Sequence, residues 1–173
     1  MSLIYVTGIE TAGKTTVCKG LKRHGFEAYD IDEGIAHFYN IRTGARSEWL
    51  ASAEDRSEAW HQQNEYMMDR EHVQRLAQQV HSKHIILCGT TQRDDVVLDL
   101  FDKVICLFLD EKRLKDRIAA RGAGEFGYAP HEEQAILGWH KTSEGTYRKR
   151  GAHMIEASQP VDVVLEEVIE KIK

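Results

Sequence analysis

The chain has 173 residues, 42% of them apolar, and a formal net charge of −5. That length suits one globular domain with a sizeable core, and the acidic balance argues against a dedicated binder of nucleic acid or anionic membrane. No apolar run reaches the roughly 18 residues of a membrane span, no basic-then-apolar leader opens the chain, and the three cysteines, Cys18, Cys88 and Cys106, lie in apolar segments without metal-type spacing, as in a reduced cytoplasm.

Leu3-Ile4-Tyr5-Val6-Thr7 is a short apolar, β-rich run and predicts a buried first strand. The next stretch, Gly8-Ile9-Glu10-Thr11-Ala12-Gly13-Lys14-Thr15, fits Gly-x-x-x-x-Gly-Lys-Ser/Thr. Gly8 and Gly13 permit backbone conformations and close approaches that a Cβ would block. The loop's N–H groups can then converge on phosphate oxygens. Lys14 supplies a point charge for the outer phosphates, and the Thr15 hydroxyl suits Mg²⁺. A helix is predicted from Thr16 to His24, which completes the strand–loop–helix order and aims a helix N-terminus at the phosphates. Gly25 stops it.

Phe26 to Tyr29 reads as a second strand, ending at Asp30-Ile31-Asp32. Glu33 to Tyr39 suggests a short helix, and Thr43-Gly44-Ala45 a break. From about Ala53 to Ser82 the chain is helix-compatible, although an unbroken helix of that length would span about 45 Å, so a bend is expected. Met67, Val73, Leu76, Ala77 and Val80 give its second half a core face. Its first half places Arg56, Trp60, Asn64 and Met67 at helical spacing, either a partly solvated face or one that lines a substrate.

His84 to Cys88 reads as a central parallel strand, followed by Gly89-Thr90-Thr91-Gln92-Arg93 and a helix over about Asp95 to Phe101. Val104 to Leu109 is a fourth strand, and a helix covers about Glu111 to Arg121. Gly122, Gly124 and Gly127 make a flexible flap over about 121–131. Pro130 with Glu132 and Glu133 opens a helix that runs to Lys149 or Arg150. His153 to Ala157 is a fifth strand, and Val161 to Ile172 a closing helix. Five strands alternating with helices predict a three-layer α/β/α architecture around a parallel sheet, in one domain over 1–173. The region of about 33–82 would be a helical substrate-binding insertion.

Ligands of an open parallel sheet bind at the carboxyl ends of its strands. The P-loop follows the first strand. Asp30 and Asp32 follow the second; alternation aims both toward the phosphates and a metal, with helix capping as the other use. Gly89, its N–H free for a substrate, and Arg93 follow the third. No acid ends that strand, so Asp30 is the best metal-holding replacement. Arg117 and Arg121 share one helix face after the fourth strand, for phosphates or for solvent.

Together these residues resemble the nucleoside-monophosphate kinase-like branch of the P-loop kinases, the group that includes adenylate, shikimate and gluconate kinases. The resemblance spans essentially the whole chain and implies a sheet order of 2-3-1-4-5. Asp30-Ile31-Asp32 is similar to the Asp-x-Asp of shikimate kinases, which implies Asp30 on Mg²⁺ and Asp32 on the substrate hydroxyl. Arg117 to Arg121 is similar to the lid entry of adenylate kinases, implying Arg117 stacked on adenine and Arg121 on the transferred phosphoryl group. Ser158-Gln159-Pro160 occupies the place of the adenine-packing loop. Cys88-Gly89-Thr90 departs both from the Asp-Gly-x-Pro-Arg of nucleotide kinases and from the triple glycine of shikimate kinases.

The expectation is therefore an ATP- and Mg²⁺-dependent phosphotransferase, a monomer or homodimer acting on a small-molecule hydroxyl or nucleoside. Lys14, Asp32 and Arg121 would be catalytic. Gly8 to Thr16, Arg117 and Pro160 would hold ATP, and Thr15 and Asp30 the metal. Asp32, Arg56, Trp60, Asn64, Gly89 and Arg93 would face the acceptor. A nucleoside monophosphate kinase is the alternative, and a nucleotide-binding regulatory NTPase the alternative of another class.

Overall fold

The computed structural model describes residues 1–81 and 83–173. Strands β1 (Leu3–Gly8), β2 (Glu27–Asp30), β6 (Ile85–Cys88), β7 (Lys103–Phe108) and β8 (His153–Glu156) form a parallel sheet in the order β2-β6-β1-β7-β8. These labels differ from the expected 2-3-1-4-5 because three strands that the sequence did not announce intervene between the second and third of the sheet. β1 and β6 are buried along their whole length, which is why they read as continuous apolar runs rather than alternating ones.

Two apolar layers sandwich this sheet. On one face α1 (Lys14–Arg23), α4 (Glu111–Ala119), α5 (Pro130–Lys149) and α6 (Val161–Ile172) supply Val17, Leu21, Leu114, Ile118, Ile136, Val164 and Val168. On the other, α3 (Arg70–Ala77) brings Val73 and Leu76 against Leu3, Tyr5, Ile85 and Leu87. Alternate residues of β1 thus feed different cores.

The region of about 33–82 is not the helical insertion expected. Glu33 to Tyr39 is a turn followed by β3 (Ala36–Asn40), and the predicted long helix is split into α2 (Glu58–Gln63), β5 (Asn64–Met68) and α3. With β4 (Arg46–Ser47), these strands make an antiparallel sheet ordered β4-β3-β5. Asp69 follows β5 and caps α3, accepting the His72 N–H at 3.1 Å, a break that a propensity count over helix-compatible residues misses. Ser82, the end of the predicted helix, lies outside the described residues. The helix expected over Asp95 to Phe101 is two single 3₁₀ turns, Asp94–Val96 and Leu98–Leu100. Among the described residues no helix is long and apolar enough to cross a membrane.

Candidate functional site

A cavity of about 1000 Å³ opens where the carboxyl ends of β1, β2 and β6 face the antiparallel sheet and the segment before α5. Its floor is the loop after β1. Gly8 has φ 139, and a Cβ there would lie 2.0 Å from the Leu107 carbonyl oxygen, so the loop can leave the sheet only with glycine. Gly13, at φ 94, starts α1 without any side-chain cap, and no acid occupies the first turn. The helix N-terminus therefore keeps unsatisfied N–H groups and a positive dipole end toward the cavity. Thr11 takes φ 64, and its hydroxyl is buried without a hydrogen-bond partner. Such an orphaned group in a glycine-framed cradle fits a loop shaped around an anion.

Glu10, Thr11, Gly13, Lys14 and Thr15 line the cavity. Lys14 Nζ is folded over its own loop, donating to the Ile9 and Gly8 carbonyls at 2.7 and 3.0 Å. Burial lowers its pKa, against opposing pulls from Glu10 and Asp32. Ile9 and Ala12 are buried in the core instead, and Thr16 points to solvent.

Asp30 and Asp32 both reach the cavity, with Ile31 buried between them. Neither caps a helix: Asp30 Oδ1 accepts the Asp32 N–H at 3.2 Å and closes a turn. Asp32 Oδ1 accepts the Tyr66 hydroxyl at 2.5 Å. Removal from water raises the Asp32 pKa, and the Asp30 charge adds to this, while Tyr66 and Lys14 pull it down. Tyr66 was missed in the sequence because the residue was assigned to a helix, whereas β5 delivers it to Asp32. Asp30, Asp32 and Thr15 all line this cavity, and carboxylate and hydroxyl oxygens are the donors that Mg²⁺ takes.

Four expected acceptor residues are elsewhere. Arg56 is fully buried and does not line the cavity. Its guanidinium donates to Glu132 Oε1 at 2.7 Å, to the Leu50 and Ala51 carbonyls, and to those of Ala123 and Glu125 at 3.2 Å. Trp60 packs on Phe38, Trp49 and His61. Asn64 is tied to Ser47 Oγ and the Trp60 carbonyl. Arg93 pairs with Asp95 and Glu65 at the surface. Gly89 does line the cavity, but its N–H is spent on the Val6 carbonyl at 3.0 Å. Its role is steric: a Cβ would meet Ile31 Cγ1 at 2.2 Å.

Arg121 lines the cavity too, and its charge acts on Lys14. Arg117 does not line it; its guanidinium bridges the Thr11 carbonyl at 2.7 Å and the Ala157 carbonyl at 2.9 Å, binding the P-loop to the loop after β8. Pro160 caps α6 in that loop. At the cavity's edge, His61, which lines it, clusters with His131 and Glu132, which do not, their ligand atoms within 4.8 Å of one another. Glu132 already accepts from Arg56, Gly127 N and Ala129 N, so the local cation is the guanidinium.

A family model described as an AAA domain matches residues 4–138. The chain belongs to that family. A search of curated proteins found no match. Among solved structures, shikimate kinase from Aquifex aeolicus vf5 is 18% identical at a TM-score of 0.60, covering 96% of this chain and 93% of that one. Deoxyadenosine kinase from M. mycoides with bound dATP is also 18% identical at 0.60, covering 97% of each. A gluconokinase from Sinorhizobium meliloti 1021 is 15% identical at 0.52, covering 98% and 90%. This AAA-domain chain thus has the fold of the P-loop kinases of the nucleoside-monophosphate kinase-like group.

Proposed function

We propose that the protein is an ATP- and Mg²⁺-dependent phosphotransferase whose acceptor is the hydroxyl of a small molecule that carries no phosphate. The observation that carries this is one cavity holding both an uncapped P-loop helix and Asp32, a carboxylate oriented by a tyrosine. The Lys14 ammonium and the Arg121 guanidinium would neutralise charge on the phosphoryl group in flight, while the α1 N–H groups orient the outer phosphates. Thr15 and Asp30 would hold Mg²⁺, which supplies charge neutralisation at the phosphates. The acceptor oxygen forms the new bond to the γ-phosphorus as the bond to the leaving nucleoside diphosphate breaks, and the acceptor's proton passes to Asp32.

A nucleoside monophosphate needs cations for its second phosphate. Of the four candidates for that task, Arg42, Arg46, Arg56 and Arg93, the last two are committed to Glu132 and to Asp95 with Glu65. Among the described residues, Arg46 is the one of these four that lines the cavity, and it also faces Asp69 at 3.5 Å. The kinases of similar fold named above, for shikimate, gluconate and deoxyadenosine, all have hydroxyl-bearing molecules in their names.

Coupled ATP-consumption assays with nucleosides, sugars and hydroxy acids on one side and nucleoside monophosphates on the other test the proposal. Consumption should rise sharply with a member of the first group. Robust phosphorylation of a monophosphate overturns the acceptor assignment, and flat consumption across both groups leaves a nucleotide-binding switch. Calorimetry should find ATP binding lost in Lys14→Ala; unchanged affinity there would remove the P-loop from the reading.

A further inference from the structure

The acceptor side of the cavity is walled by aromatic rings drawn from five separate places in the chain. Tyr66 of β5 packs on Phe38 of β3 with centroids 4.7 Å apart, and Phe38 stacks on Trp49 at 5.4 Å and 23°. Trp49 meets Phe126 edge-on at 6.4 Å, and Phe126 stacks on Trp139 of α5 at 5.9 Å and 17°. All five line the cavity, and the arc ends at Asp32 through the Tyr66 hydroxyl.

The polar atoms of this wall are largely spent on the protein itself. Tyr66 donates to Asp32, Trp49 Nε1 to the Gly124 carbonyl at 3.3 Å, and Ser47 Oγ to Asn64. His61 Nε2 lies 3.1 Å from Glu132, and Gln92 Oε1 accepts the Tyr66 N–H. A polyol bound against these rings would exchange water for ring faces and leave hydroxyls unpaired there, which costs affinity. A flat heteroaromatic ring loses little by the same exchange, since its faces need no hydrogen bonds and stack on the arc. Only one end of such a ligand needs a polar partner, and Asp32 provides it.

Building on the phosphotransferase reading, we infer that the acceptor is a nucleoside-like alcohol, its planar base against the Phe38–Trp49–Phe126–Trp139 arc and its sugar hydroxyl at Asp32. Two of the three tryptophans, Trp49 and Trp139, line the cavity, so stacking should quench intrinsic fluorescence.

The test titrates ribo- and deoxynucleosides, hexoses and hydroxy acids into the protein saturated with a non-hydrolysable ATP analogue and Mg²⁺, and follows turnover of the same compounds with ATP. Saturable quenching by at least one nucleoside is expected, weakened roughly tenfold in Trp139→Leu and in Phe126→Leu. The same nucleoside should be phosphorylated. Turnover of a hexose or hydroxy acid with no nucleoside binding overturns the nucleoside assignment and leaves the phosphotransferase standing. Nucleoside binding without turnover of any compound keeps the aromatic site and sinks the phosphotransferase. Neither binding nor turnover sinks both, and the wild-type titration decides even if a variant fails to fold.

Discussion

Asp30 and Asp32 are one residue apart yet have different surroundings, and the difference divides their roles. Asp30 is buried and already accepts a backbone N–H, as suits a fixed metal ligand, while Asp32 has a tyrosine partner and the raised pKa. Asp30→Asn should therefore weaken the Mg²⁺ dependence of turnover far more than Asp99→Asn, which alters an exposed acid paired with Arg70. Equal Mg²⁺ titration curves for wild type and Asp30→Asn would put the metal elsewhere. Asp32 must be ionised to accept a proton. Since its pKa is raised, activity should fall on acidification from a pH above the ordinary carboxylate range, and that acid limb should vanish with the residual activity of Asp32→Asn. An unchanged acid limb would show that another group accepts the proton. Both carboxylates depend on Gly89, whose lack of a side chain admits Ile31 between them.

At the scale of elements, the arginine expected to meet substrate is what joins the antiparallel sheet region to the segment before α5. Arg56 reaches the Leu50 and Ala51 carbonyls on one side and those of Ala123 and Glu125 on the other, and Trp49 covers its guanidinium at 4.3 Å. Its partner Glu132 also accepts Gly127 N at 2.9 Å, so the glycine-rich flap is held by its own carbonyls and N–H groups. Removing one member of such a buried pair strands the other charge. Arg56→Ala should cost about 3–5 kcal/mol in denaturant unfolding, and a loss below 1 kcal/mol would deny the pair this role. Burial alone would raise the Glu132 pKa, but hydrogen bonds from Arg56, Gly127 N, His61 and Ala129 N outweigh it and leave the pKa lowered. Its folded pKa thus lies below its unfolded one. The contribution is fully present above the unfolded value of about 4.3 and disappears as pH falls through the folded value. The stability gap between wild type and Glu132→Gln should narrow only below that range.

Across the whole molecule, what was legible in the sequence is what is buried on both sides. β1 and β6 announced themselves as apolar runs, and the P-loop by residues whose spacing is fixed by phosphate geometry. The antiparallel sheet was not legible, because β3 and β5 are half-solvated strands flanked by helix-compatible residues, and tertiary pairing overrode propensity. Nor could the sequence show that Arg56 would find Glu132, 76 positions away, so its polar helix face read as a substrate wall. The fold that results closes one cavity between the P-loop, the antiparallel sheet and the flap, so a ligand bound there contacts parts that must all be folded at once. Ligand linkage then acts on the entire chain: at a hundredfold excess over Kd, Mg²⁺-ATP should add about 2.7 kcal/mol, or roughly 5–10 °C in Tm for a chain of this size. Lys14→Ala, which alters the first residue of α1, outside the two cores, should leave the ligand-free Tm near wild type and abolish the shift. Differential scanning with and without nucleotide measures both, and an undiminished shift in the variant would mean that the triphosphate does not bind at this loop.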